Sequence, residues 1–488
     1  MPSYSWEREF RLLWTGSAVS QFGAAGATMA TPLLALSLTG SPVSAGLATA
    51  AGTLPGLMVQ LPAGWLADRA DRHRIMMTSQ GVRLVATLVL IVGLGLMGGP
   101  FWLLLVVVVV VGVSAVFHDI AENARVRDIL YGVDDTPRPC DADMAAKRKS
   151  AMAGHEARVH IAQVTGRPLG GLLFDYSPPL PYVIEAGTAF FSLFMMRLIG
   201  TGRAGAAEHG PPWRKRGAGS GRRFSRRARD EIASSRKLLT GDRFLLTVLT
   251  VCTVANFLFQ VVVLLLIVSA DRRGTSTSLT GLFLSASGIG GMAGAFAAPR
   301  LLRKRRPQTI VLWCVWSWFV LVLLVALVRH PLVGFLAWGS CSYMGAHVNI
   351  ALEVHKGDSV PREHQGKITS IGRFLTSGAT PLGALCGGYL IAALNPAGAA
   401  ALVALVMGVL VLVVTAGMLL GDRDEATEAE KKESGKEGGG DEPITTHDAV
   451  PPKHTVTAHI AHEVIAPAPI MADFDLPAEG VAPASPRR

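Results

Sequence analysis

Glu156, His160, Gln163 and Arg167 stand at i, i+4, i+7 and i+11, which places all four on one face of an α-helix. At 1.5 Å per residue the stripe runs about 16 Å along the axis. These groups can move protons: histidine titrates near neutrality, and a carboxylate held away from water is raised toward it, so Glu156 and His160 can exchange a proton. Three readings stay open: a proton path, a static ion network in which Glu156 pairs with Arg158 or Arg167, and direct contact with a substrate. Glu185, five residues into another apolar segment, is a second candidate proton carrier, or else an interfacial acid. The string His155-Glu156-x-x-x-His160 is not a zinc motif, because histidines five apart do not share a helix face. His454, His459 and His462 lie in an acidic tail and read as incidental. Neither a metal site nor a cofactor is expected.

The elements that must position these groups follow from composition. The chain has 488 residues, 50% of them hydrophobic and 17% charged, and the apolar ones are concentrated in blocks such as 101–117 and 245–270. Apolar runs of about 18 residues or more are what a helix needs to cross a bilayer, which excludes a soluble globular protein. Twelve such segments are expected, at roughly 10–38, 42–66, 75–97, 101–124, 149–174, 180–200, 244–270, 277–299, 308–329, 331–355, 367–394 and 396–421. The expected fold class is therefore an all-α integral membrane protein with its twelve helices in two six-helix halves. The boundaries are 1–200 for the N-terminal half, 201–243 for a basic linker, 244–421 for the C-terminal half and 422–488 for a disordered tail.

The formal net charge of +10 divides unevenly. Residues 422–488 hold fourteen Asp or Glu against seven Lys or Arg, so the membrane body carries +17. That excess sits in loops on one side, around Arg69 to Arg74, Lys147 to Lys149, Arg203 to Arg243, Arg303 to Arg306, and Arg362 with Lys367. Such asymmetry orients a membrane protein with both termini cytoplasmic and is not the footprint of a nucleic-acid groove. The linker can rest on anionic lipid headgroups. The five cysteines are scattered and form neither a metal-ligand nor a disulfide pattern.

Inside the spans, further polar stripes appear at Ser17, Gln21 and Thr28, and at Thr253, Asn256 and Gln260. Gln21, Gln163, Arg167, Asn256 and Gln260 are candidates to line a cavity, since polar groups cannot face lipid cheaply. Arg83, His118, Asp119, Glu122, His347, Glu353 and Arg373 are expected near inner helix ends, as gate or packing salt bridges. The chain also repeats itself. Asp119-Ile120-Ala121 matches Asn349-Ile350-Ala351 at an offset of 230, and Pro168 to Leu172 matches Pro381 to Leu385 at 213. An insertion of about that difference in the first half, at 134–148, accounts for the change. Two parallel six-span repeats imply a binding site between them near the midplane.

The stretch Gly64-Trp65-Leu66-Ala67-Asp68-Arg69-Ala70-Asp71-Arg72-His73-Arg74 resembles the loop motif after the second span of the major facilitator superfamily. Gly166-Arg167-Pro168-Leu169-Gly170-Gly171 is similar to the Gly-Pro-x-x-Gly-Gly element of its antiporter branch, with Arg167 where that element has proline. Val360 to Lys367 resembles the loop before the eleventh span of siderophore-exporter-like members. The resemblance covers 1–421 and implies a twelve-span proton-antiporting exporter. It also implies that Gly64, Asp68, Arg69, Asp71, Arg72 and Arg74 form a gating motif, with Asp68 meeting a helix terminus of the other half near Gly366 and Lys367. Gly166, Pro168, Gly170 and Gly171, together with Gly290 and Gly294, are expected to pack across the interface between the halves. No phosphate-binding loop or catalytic triad is present, so an enzyme is not expected. The expected function is export of a small amphiphilic compound, drug-like or a siderophore, by a monomer in the cell membrane, driven by protons. An importer of the same fold and a non-transporting membrane scaffold are the alternatives.

Overall fold

A computed structural model of the chain describes residues 6–131, 142–199, 241–327, 331–360 and 362–437. The expected linker and most of the expected insertion lie outside these residues, as does the tail beyond Glu437. All described elements are helices. They are α1 (Trp6–Thr39), α2 (Pro42–Arg69), α3 (Arg72–Met97), α4 (Phe101–Tyr131), α5 (Ala142–Tyr176), α6 (Leu180–Ile199), α7 (Arg243–Arg272), α8 (Thr277–Leu302), α9 (Pro307–Leu327), α10 (Pro331–Ser359) and α11 (Arg362–Glu437). The last is two helices joined at Asn395, whose φ of 56° and ψ of 169° interrupt the helix, so twelve spans result. Asn395 makes this reversal by entering the left-handed half of φ, which asparagine tolerates. Its Oδ1 then accepts the N–H groups of Ala397 at 3.1 Å and Gly398 at 3.2 Å, and Pro396 begins the following arm.

By length and composition, nine segments among the described residues can cross a membrane, one of them (Ile371–Met418) running through both arms of α11. The two helices that fall short are α5 and α10, the former because it carries the ionisable stripe. Apolar side chains cover the outside. On α3, Val82, Val85, Val89, Val92 and Leu96 are all exposed at helical spacing, the face a span turns to lipid.

Helices alternate in direction, so one end of the bundle carries the basic loops (the basic end) and the other carries the turns at Gly40, Gly98 and Asn395 (the far end). In the first half, α1 packs on α5 and α6, and α4 on α2 and α3; in the second, α8 packs on α10 and α7 on α11. Two pairs join the halves: α2 with α11 and α5 with α8. Adding six spans to one pair gives the other, which is the symmetry implied by the two internal matches. The expected unstructured start of the tail is different in the structure: α11 continues as helix to Glu437. Its Ala, Glu and Lys content supplies the reason, since these are strong helix formers and Glu428 and Lys432 stand at i, i+4.

Candidate functional site

A cavity of about 500 Å³ lies between the halves. Its wall includes Thr28, Thr31, Thr49, Thr53 and Gln60 of α1 and α2, Arg83 and Thr87 of α3, a run of small and branched residues on α4, and Tyr182 and Glu185 of α6; the second half adds Asn256, Ser377 and Thr380. The lining is mainly apolar with hydroxyls and amides interspersed, the composition of a site for an amphiphilic molecule.

Toward the far end the halves close over it. A Cβ built on Gly46 would lie 2.4 Å from the carbonyl oxygen of Ala384, and one on Gly171 would lie 2.4 Å from that of Thr277. Only glycine permits backbones this close. Toward the basic end the site is open. Gln60 and Ser377 are exposed, and Arg373 and Asp119, a turn further along the same faces of α11 and α4, are exposed as well. Asp119 is within electrostatic reach of His118, Glu122, Arg83 and Arg158.

Inside the cavity wall, Arg83 donates to Glu185 Oε1 from Nε at 3.0 Å and from Nη2 at 2.7 Å. The two side chains are 8% and 5% exposed. Glu185 lies near the far-end start of α6 (Leu180–Ile199) and Arg83 well inside α3 (Arg72–Met97), and α3 packs against α6. Both of these hydrogen bonds go to one carboxylate oxygen, Oε1. Tyr182, one turn away, lies 3.4 Å from the Thr31 hydroxyl. Burying a charged pair costs several kcal/mol per ion in desolvation, and the pair holds only while both members are charged.

A second buried cluster joins α4 to α5. Arg158 pairs with Glu122, the side chains being 4% and 1% exposed, and His118 Nε2 stands 3.7 Å from Glu122 Oε2. His118 Nδ1 and Arg158 Nε have no protein partner among the described residues, which leaves hydrogen-bonding capacity for water. Nearby, Asn123 and His155 meet at 3.0 Å.

Several expectations change in this light. Arg83, expected near an inner helix end, instead forms a buried pair with Glu185 on the cavity wall. Among the described residues, the buried ion pair on α5 is Arg158 with Glu122 of α4. Residues 155, 158 and 162 are buried together, so the inward face of α5 is a neighbour of the one the stripe marks. Of the stripe, His160 is exposed and Gln163 half-buried. Arg167 donates to Ser287 Oγ of α8 at 3.2 Å. The Glu156 side chain lies outside the described residues. Asn256 lines the cavity and donates to the Thr376 carbonyl at 3.2 Å. Gln21 lies one turn below the α1 lining, and Gln260 packs on Gly383 of α11.

The glycines divide by helix face. Gly171 and Pro168 do meet the other half, at Gly281 and Thr277, but Gly166 and Gly170 pack on Gly26 of α1. Gly290 and Gly294 pack on Gly339 and Tyr343 of α10, within their own half. Gly281 and Gly288, seven apart, share the face that meets α5, whereas Gly290 lies about 200° round from Gly288.

In the gating motif, Gly64 faces open space, with nothing within 4 Å of where a Cβ would stand. Asp71 caps α3 by accepting the His73 N–H at 2.9 Å. Arg72 pairs with Asp128 of α4 and donates to the Ala67 carbonyl at 3.2 Å. Arg74 is exposed, 3.6 Å from Asp71. These contacts all stay within the first half. The side chains of Asp68, Arg69, Gly366 and Lys367 lie outside the described residues.

Comparison with known proteins agrees with this architecture. The family model described as Major Facilitator Superfamily matches residues 13–356. Macrolide efflux protein A of Streptococcus pyogenes is 31% identical over 120 residues, 25% of this chain and 30% of that protein, so the match spans less than a third of the relative's length. Among solved structures, the nucleoside transporter NupG superposes with a TM-score of 0.62 at 13% identity, covering 84% of this chain and 99% of that one. An auto-inhibited peptide transporter of the POT family gives 0.60 at 13%, covering 85% and 97%. A bacterial homologue of the lysosomal transporter Spinster, inward-facing and unoccupied, gives 0.58 at 13%, covering 87% and 98%. At these identities the structures show the fold alone. With the family model matched over residues 13–356, the chain belongs to the major facilitator superfamily, as a multi-pass membrane protein.

Proposed function

We propose that this chain is a proton-coupled exporter of a small amphiphilic organic compound, acting by alternating access. The observation that carries the reading is the buried Arg83–Glu185 pair on the wall of a mainly apolar cavity between the halves. A proton arriving at Glu185 breaks the pair, and release of that proton on the other side restores it. The basic loops favour an orientation with the basic end and both termini on the cytoplasmic side. The cavity then opens to the cytoplasm or inner leaflet, where an amphiphile partitions before export. The partial similarity to a macrolide efflux protein favours export. The acting unit is taken to be a monomer. One charge crossing the membrane is worth roughly 2.3 kcal/mol per 100 mV, so one or two protons drive a gradient of several orders.

Asp68, Arg69 and the loop to Arg74 are assigned to latching the basic end in the opposite state. His160 and Glu156 are assigned to the proton route between Asp119 and the cytoplasm. The test is transport in inverted membrane vesicles with an acidic interior. Glu185→Gln is expected to abolish uphill accumulation of a macrolide while leaving downhill exchange. Full uphill accumulation in Glu185→Gln overturns the assignment.

A further inference from the structure

At the far end, α5 of the first half ends beside the start of α8 of the second. Asp175 Oδ1 accepts the backbone N–H of Thr277 at 2.8 Å and the Thr277 hydroxyl as well; Oδ2 accepts the Ser278 N–H at 2.7 Å and its hydroxyl at 2.5 Å. One carboxylate thus takes the first two N–H groups of a helix in the opposite half. The third, on Leu279, goes to the hydroxyl of Ser276 at 3.4 Å. A helix N-terminus leaves such groups without intrahelical partners and carries partial positive charge, so an anion there is doubly favoured.

Around it, the contact between α5 and α8 is backbone against glycine. A Cβ on Gly171 would meet the Thr277 carbonyl at 2.4 Å, and one on Gly281 would meet the Arg167 carbonyl at 2.7 Å. At these two glycines no side chains interlock, so the surfaces can slide. Deeper in the interface Arg167 reaches Ser287 at 3.2 Å. The pseudo-symmetric contact of α2 with α11 is made at Gly46 and Gly388, with no hydrogen bond between them among the described residues.

We propose that Asp175 is the clasp that holds the far end of the cavity shut, a positioning residue that sets how often the cavity opens to that side. Its exposure is part of the device: all four hydrogen bonds can pass to water when α8 swings away, so the clasp is strong enough to hold and cheap enough to release. The inference needs alternating exposure of the cavity, but neither proton coupling nor an identified substrate.

The experiment is labelling of the full-length protein in vesicles of both orientations. Thr28→Cys on the cavity wall is probed with a membrane-impermeant maleimide, against the same chain without that cysteine. Losing a cap of this kind shifts a two-state ratio by roughly 5- to 30-fold. Far-side labelling of Thr28→Cys is therefore expected to quicken by that factor in Asp175→Ala, and by less in Asp175→Asn, while basic-end labelling slows or is unchanged. Unchanged far-side labelling in a folded Asp175→Ala overturns the proposal. Should that variant not fold, Asp175→Cys with Ser278→Cys carries the test. Oxidising the pair is expected to block far-side labelling, and reductant to restore it. Equal far-side labelling of the oxidised and reduced forms overturns the clasp.

Discussion

Replacing Glu185 by glutamine removes a charge at the bottom of the cavity wall and leaves its partner in place. Arg83 is 8% exposed and gives two hydrogen bonds to one carboxylate oxygen, so the substitution strands a guanidinium in apolar surroundings. Breaking a buried pair in this way costs about 3–5 kcal/mol, whereas exchanging both members for apolar residues of similar volume is often neutral or stabilising. Glu185→Gln is therefore expected to lower stability by about 3 kcal/mol or more, and Arg83→Met with Glu185→Leu to recover most of that loss. Transport should follow a different order, because neither variant can carry a proton through the pair: both should exchange substrate downhill and neither should concentrate it. Thermal unfolding in detergent reads the first quantity and vesicle accumulation the second. If the single variant is as stable as the unmodified chain, or the double variant still concentrates substrate, the pair is neither a buried ion pair nor a coupling device.

Other consequences follow from the same geometry. Arg158→Met strands Glu122 and is expected to cost about 3–5 kcal/mol, read as a lower unfolding temperature, with Glu122→Leu in the same chain restoring it. Gly171→Ala places a methyl 2.4 Å from the Thr277 carbonyl, so the far end should close less completely and far-side labelling of cavity cysteines should rise; unchanged labelling contradicts the close approach. For Asp175, burial pushes the carboxyl up, but the hydrogen bonds from Ser278 and Thr277 outweigh it and hold the group below its ordinary range. A lowered carboxyl contributes its stabilisation above the ordinary range and loses it only as pH falls through the lowered value. Far-end closure should therefore be insensitive to external pH from about 8 to about 5, and a several-fold change in labelling across that window contradicts it.

Much of this was legible in the residues, and the gaps have physical causes. Hydropathy marks most of the spans and charge marks their ends because a bilayer imposes both, while α5 and α10 fall short of it. The internal matches anticipate which helices join the halves. Arg83 and Glu185 were each visible as a solitary charge within an apolar span, but their pairing is a contact between α3 and α6 that no periodicity within one helix encodes. The signal that can find it is opposite lone charges on two spans of one half. The α5 stripe shows the complementary difficulty. Helical spacing groups Glu156, His160, Gln163 and Arg167 equally well whether that face or the neighbouring one, with His155 and Arg158, turns inward. Gly290 and Gly294 likewise carry a close-packing signature without naming the partner, which is α10 in their own half. The Asp175 cap escaped notice because an aspartate just beyond a span reads as an ordinary loop acid until the terminus of α8 is set against it.

The most direct test of proton-driven export is accumulation of a fluorescent macrolide by inverted vesicles containing the unmodified chain, with the interior made acidic. The proposed mechanism gives accumulation against the gradient that collapses when a protonophore is added, with protons leaving as substrate enters. Accumulation that persists with the protonophore, or that requires an alkaline interior, would contradict it.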